Sequence, residues 1–148
     1  ELGIAGIQPV FASRSVVRLS GDRAKRRTEH WRGVAAAACE QCGRATLPDV
    51  DPPLPLGEAI ETVEAGGVRL LLDAAAETPL STVSGTGSGI TLLIGPEGGL
   101  TPRERQAAVE SGFVPVRLGP RVMRTETAAV VAVALIQAAW GDLRPSRS

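Results

Sequence analysis

The 148-residue chain reads as an α/β domain with a mostly parallel sheet covered by helices on both faces. Three observations predict this. Val68 to Leu72 and Ile90 to Ile94 are nearly continuous runs of Val, Leu and Ile, the pattern of strands buried on two sides. Helical patterns alternate with such runs along the chain. Two strand-like runs break into Gly/Pro loops that open onto helices: Ile94 to Glu104, IGPEGGLTPRE, and Leu118 to Ala129, LGPRVMRTETAA. Open α/β sheets bind ligands beyond the carboxyl ends of their strands, so these two loops predict one composite pocket.

The elements follow in order. A strand is expected around Gly6 to Ala12, with Ile7, Val10 and Phe11 as its apolar content. A long helix follows from Asp22 to Gly43, with Asp22 as N-cap, Trp31, Val34, Ala35 and Ala38 at i, i+3, i+4, i+7, and Gly43 to end it. Its polar face carries Arg23, Lys25, Arg26, Arg27 and Arg32. Leu47 to Leu56 holds four prolines and reads as an extended surface crossing rather than an element, before a short helix from Gly57 to Val63. Val68 to Leu72, Ile90 to Ile94 and Val114 to Leu118 are strands, and Thr82 to Gly89, rich in Ser, Thr and Gly, is a loop. Thr101, Pro102 and Glu104 form a capping box with Pro at N1, and Gly112 closes that helix. A final helix runs from Thr125 to Trp140 with almost no polar face. Such a helix needs cover on more than one side, which predicts a homodimer through it.

Composition narrows the function classes. One domain is expected, with 43% hydrophobic and 22% charged residues and no apolar run long enough to cross a bilayer, hence a soluble chain without a membrane partner. No secretory signal is present, and a start at Glu1 without Met suggests a piece of a longer protein. The zero net charge conceals an asymmetry: eight Lys/Arg stand against four Asp/Glu in residues 1–47, one against seven in 48–92, and seven against five in 93–148. The first basic cluster, with Arg121 and Arg124 in the second loop, could meet a phosphate-rich partner; a solvated helix face is the competing reading of the cluster. Cys39 and Cys42 form a lone CxxC. The single His30 lies nine residues away and no further Cys exists, so no metal site is expected and two small thiols on a helix is the better account.

Gly95, Gly98 and Gly99 allow close ligand approach, and the amides of the helix behind them could face an anion. The loop lacks the Lys-Ser/Thr of a P-loop and the order GxGxxG, which disfavours phosphate cofactors.

IGPEGGLTPRE, followed by Gly112 and Phe113 and then by LGPRVMRTETA, closely resembles the C-terminal signature of the RsmE family of 16S ribosomal RNA uridine N3 methyltransferases. The resemblance extends to Glu1-Leu2-Gly3, Glu40, Gln41, Arg44, Pro48, Leu72-Asp73 and Gly141-Asp142-Leu143. It implies a SPOUT-type α/β domain over residues 1–148 with a deep C-terminal trefoil knot, binding S-adenosylmethionine in the knot loops at a dimer interface, in the cytoplasm, on 16S rRNA or the small ribosomal subunit. The general rule against threaded connections would never suggest a knot. The family also carries an N-terminal PUA-like RNA-binding domain absent from this chain, and its Glu-Leu-Gly ends the first helix of the catalytic domain, so that one strand and one helix could be missing here.

Carried over by position, the resemblance implies a cofactor pocket built from Leu72, Gly95, Glu97, Gly98, Gly99, Leu118, Gly119, Val122, Met123, Arg124, Thr127 and Ala128. Val122-Met123 stands where the family most often has Ile-Leu, a swap that keeps apolar character. Uridine N3 must lose its imide proton to attack a sulfonium methyl. Arg124 or Arg121 could stabilise the developing charge or hold a phosphate, and Glu97 or Glu126 could take the proton; an Arg124–Glu126 pair of purely structural role competes. Two other classes remain open: a non-catalytic RNA-binding or ribosome-assembly module with the same fold, and a phosphate-ligand enzyme using Gly95 to Gly99.

Overall fold

A computed structural model of the protein describes residues 1–15, 20–63, 66–84 and 89–144. Its centre is a three-stranded parallel sheet of β5 (Val68–Leu72), β6 (Ile90–Ile94) and β7 (Val114–Val116), in the order β6-β5-β7. Five consecutive residues of β5 pair with β6, from Val68 opposite Ile90 to Leu72 opposite Ile94, and Leu70 to Leu72 pair with β7. The period of two sorts their side chains. Leu71 and Leu93 join Leu56, Ile60, Ala108 and Phe113 in one core cluster, while Leu70 and Val116 join Leu80 in another, against which Ile136 and Trp140 pack. Leu56 and Ile60 belong to α2 (Leu56–Glu61), Ala108 to α3 (Pro102–Glu110), and Ile136 and Trp140 to α4 (Thr125–Trp140). Helices therefore cover both faces of the central sheet.

The first strand is not continuous. It divides into β1 (Gly6–Ile7) and β2 (Val10–Phe11), which pair in parallel with β3 (Asp49–Val50) and β4 (Leu54–Pro55). The proline-rich crossing is thus a strand partner, contrary to the expectation of no element there. Pro9, Pro52 and Pro53 lack the N–H that an unbroken ladder needs. The Gln8 side-chain amide fills the gap, donating to Pro9 O at 2.9 Å and Pro52 O at 2.8 Å.

Helix α1 (Gly21–Cys42) ends as expected at Gly43, which adopts the left-handed conformation (φ 75°). Its start differs: Ser20 is the N-cap, with no side-chain capping bond, and Asp22 lies inside the first turn. The buried positions are Thr28 and Cys39, whereas Val34, expected on the packed stripe, is 56% exposed. Packing against β3 rotates the buried face toward Thr28, whose hydroxyl is satisfied by Ala24 O at 3.0 Å. Arg32 Nε donates to Val50 O at 3.0 Å and fixes the helix to that ladder. Cys39 is buried, while Cys42 and His30 are exposed.

The short helix begins one residue early and ends at Glu61 rather than Val63, and β7 ends at Val116, with only an isolated bridge from Arg117 to Pro79 beyond it. Leu80 to Thr82 forms a single 3-10 turn at the edge of the expected loop, of which residues 85–88 lie outside the described residues. The capping box of α3 is present in full, with Gly112 just past its end at φ 88°. No helix among the described residues is long and apolar enough to cross a membrane.

Candidate functional site

All three central strands run the same way, so the loops after β5, β6 and β7 emerge on one side of the sheet. They enclose a cavity of about 360 Å3. The first wall is Leu72 with Asp73 to Ala75, the second is Ile94 to Glu97 with Gly99 and Leu100, and the third is Arg117 to Gly119 with Arg121 to Met123; Thr125 and Ala128 of α4 close it. Each wall is fixed locally. Asp73 N donates to Val116 O at 2.9 Å, Gly99 N closes a turn onto Pro96 O at 2.7 Å, and Thr125 Oγ1 reaches Gly95 O at 3.4 Å. Gly99 needs its left-handed φ of 67° for that turn, and a Cβ on Gly95 would press on Leu100.

The structure brings together nine of the twelve cofactor positions named from sequence: Leu72, Gly95, Glu97, Gly99, Leu118, Gly119, Val122, Met123 and Ala128 all line the cavity. Gly98, Arg124 and Thr127 do not. The carbonyl of Gly98 accepts from the Arg14 guanidinium at 2.7 Å, and Arg124 and Thr127 are exposed at the start of α4, where Arg124 is the N-cap. Of the acid/base candidates, Arg121 and Glu97 line the cavity, and Glu126 is exposed in the first turn of α4. Arg124 and Glu126 form no ion pair among the described residues.

Sequence reasoning missed Asp73, Arg105 and Arg117 as lining residues. Asp73 follows directly on β5, so the strand-end rule could have found it. Arg105 lies across a helix turn from the glycine loop, and nothing in the sequence joins it to Asp73. In the fold Arg105 Nε meets Asp73 Oδ2 at 2.7 Å on the cavity rim. Burial raises the Asp73 pKa, but hydrogen bonds from Arg105 and the Ala75 amide, with the Arg105 charge, hold it below the usual carboxylate range.

The anion reading of α3 meets an obstacle in its own capping box. Glu104 N donates to Thr101 Oγ1, and the Glu104 carboxylate takes the Thr101 N–H at 2.8 Å and the Ser13 N–H at 2.6 Å. Burial pushes this carboxyl up, yet the backbone bonds from Ser13 and Thr101 and the Thr101 hydroxyl lower its pKa to about 2. A fixed negative charge therefore occupies the helix end where a phosphate would have to sit. No group of three or more His, Cys, Asp or Glu among the described residues could hold a metal ion.

A domain of parallel strands whose C-terminal loops form one apolar, glycine-edged cleft is a small-molecule-binding α/β class. The chain belongs to the RNA methyltransferase domain family, whose model matches residues 1–137. Curated proteins similar to it include ribosomal RNA small subunit methyltransferases E. One from Mycobacterium bovis is 37% identical over 130 residues, covering 84% of this chain and 50% of the relative. A crystal structure of the Neisseria gonorrhoeae protein bound to S-adenosyl methionine superposes with a TM-score of 0.90 at 38% identity, covering 97% of this chain and 58% of that one. A Legionella pneumophila structure in complex with the same cofactor gives 0.88 at 34% identity, with coverages of 93% and 57%. The chain spans about half the length of the curated relatives it matches.

Proposed function

We propose that this chain is the methyl-transferring domain of an S-adenosylmethionine-dependent 16S ribosomal RNA uridine N3 methyltransferase of the cytoplasm. The observation that carries the reading is the three-loop cavity, found in a fold that matches a cofactor-bound methyltransferase over 97% of this chain. The residues fit the group. The cavity lies within the range of roughly 300–1,000 Å3 typical of small-molecule sites. Leu72, Leu118, Val122 and Met123 supply apolar walls, and the glycine loops offer main-chain groups without side-chain obstruction.

The bound cofactor supplies a methyl group on a positively charged sulfonium, open to attack by a nucleophile. This chain's own residues must align the uracil and manage one proton and one developing charge. Arg121 on the cavity wall stabilises negative charge on the base as N3 loses its proton, and Glu97 on the opposite loop accepts that proton. Arg124 stands outside the wall and holds a substrate phosphate. Arg121→Ala therefore lowers kcat in steady-state methylation of small ribosomal subunits about 10^2-fold or more, the size of losing one charge-stabilising donor. Arg124→Ala mainly raises KM, and the reverse split would overturn the assignment. Calorimetric titration tests the class itself: binding of adenosylmethionine without binding of ATP is expected. Absence of adenosylmethionine binding would leave the non-catalytic RNA module standing.

The proposal includes a trefoil knot and a homodimer. Support for the knot is the resemblance of the two loop motifs, IGPEGGLTPRE and LGPRVMRTETA, to those of the RsmE family. Support for the dimer is the exposed apolar surface of α4 and its approach, with Val122 84%, Val130 59% and Leu135 46% exposed. Sedimentation at micromolar concentration should give twice the monomer mass.

A further inference from the structure

The N-terminal half of α1 carries a feature that the cavity does not use. Arg23, Arg26, Arg27 and His30 recur at i, i+3, i+4 and i+7 and share one helix face. All four are exposed, while Thr28 and Cys39 face the interior. Among the described residues none of the three arginines forms an ion pair, and Glu29 is taken by Arg32 at 2.8 Å. The Arg27 guanidinium lies 5.7 Å from the centroid of the Trp31 ring, which makes a flat cationic platform beside the free charges.

The chain just before this helix is tied to the candidate site. The Arg14 guanidinium donates to Gly98 O, and Ser13 N donates to Glu104 Oε1, so residues 13 and 14 are fastened to the glycine loop and the start of α3. Six residues lie between Arg14 and Gly21, seven chain steps that span at most about 25 Å when extended. The start of the helix is therefore tethered within that distance of the glycine loop that edges the cavity.

We propose that the Arg23, Arg26 and Arg27 face of α1 binds the phosphate backbone of the RNA substrate beside the methyl-donor cavity; this rests on the methyltransferase reading. Planar guanidinium groups match phosphate oxygens in pairs, and Trp31 offers a ring against which an unpaired base can stack. Val34, one turn beyond His30, is an exposed aliphatic residue of the same face, and the run of Arg23, Arg26 and Arg27 before it carries the charge that favours a phosphate backbone.

The test is a salt titration with a fluorescein-labelled single-stranded RNA oligonucleotide, comparing the chain with its Arg23→Gln/Arg26→Gln/Arg27→Gln variant. Each lost phosphate contact removes about 0.7 from the slope of log K against log salt, so the slope should flatten by about two units. Affinity at low salt should fall at least about tenfold, with adenosylmethionine affinity and thermal unfolding unchanged. The triple Arg→Lys variant should keep the slope. Wild-type affinity and slope in the Gln variant would overturn the proposal, as would displacement of the RNA by polyglutamate as efficiently as by unlabelled RNA. If the chain binds RNA through this face yet takes no adenosylmethionine, the methyltransferase reading fails and the surface stands. If it takes adenosylmethionine while the Gln variant binds RNA normally, the surface fails and that reading stands.

Discussion

The protein contains two sets of parallel strands built from similar lengths of chain, and they differ in how the backbone is satisfied. β5 and β6 pair without interruption over five residues, and every position from Val68 to Leu72 carries an N–H. The ladder of β1 to β4 pairs in two-residue pieces, because Pro9, Pro52 and Pro53 remove donors where it would continue. A side chain, Gln8, substitutes for the missing backbone bonds. The central sheet, continuous between β5 and β6 and carrying Pro115 in its short third strand β7, positions the cavity, and the broken ladder positions α1. A site that needs three loops held in fixed relation rests on the set with the longer pairing, and the basic helix rests on the other.

The largest expected effect breaks the central sheet. Leu70 is fully buried at the middle strand, paired to both neighbours and packed with Leu80 and Val116. Leu70→Ala should destabilise the chain by about 2–5 kcal/mol in urea unfolding, and adenosylmethionine affinity should fall with it. A cost below about 1 kcal/mol would mean that the central sheet is not the dominant core.

An intermediate effect is expected where the two regions touch, at Glu104. Its carboxylate caps α3 and also holds Ser13, which follows β2 and precedes α1. Because its folded pKa of about 2 lies below the ordinary value of 4.5, its stabilisation is complete above pH about 4.5 and is lost as pH falls toward 2. Glu104→Gln should cost about 1–2 kcal/mol at neutral pH and flatten the stability profile between those limits. A variant with the same acid profile as the parent would show that the carboxylate is not held in this way.

Legibility in the sequence follows the same division. The strands at Val68 to Leu72 and Ile90 to Ile94, the capping box at Thr101 and the helix Thr125 to Trp140 are read residue for residue, since each depends on local propensity or on burial that is uniform along the element. β3 and β4 were not legible, because four prolines in ten residues argue locally against any strand, and only the parallel partner makes those pieces ladders. The loops of the site were legible as a pocket: Gly95, Gly99, Gly119 and the apolar Leu72, Leu118, Val122 and Met123 line the cavity, while Gly98 does not. The rim pair of Asp73 and Arg105 was not, since residues 32 apart meet only after β5 and α3 have packed. The same holds for the two ends of the chain. Gln137 Nε2 donates to Leu2 O at 2.8 Å, and a Cβ on Gly3 or Gly141 would overlap the Gln137 side chain. Glu1-Leu2-Gly3 and Gly141-Asp142-Leu143 are thus parts of one junction, which spacing alone could not reveal.

The smallest effect sharpens the comparison from the broken ladder. Gln8→Ala removes two side-chain bonds at an exposed interruption, where water can replace them, so a loss of about 0.5–1 kcal/mol is expected from urea unfolding. Hydrogen exchange should rise at the Leu54 amide, which donates to Pro9 O across the gap, while the amides of β5 and β6 stay protected. Adenosylmethionine affinity should not change. If exchange instead rises equally in β5 and β6, the two strand sets unfold as one unit, and the division between a rigid site-bearing sheet and a separately tethered α1 does not hold.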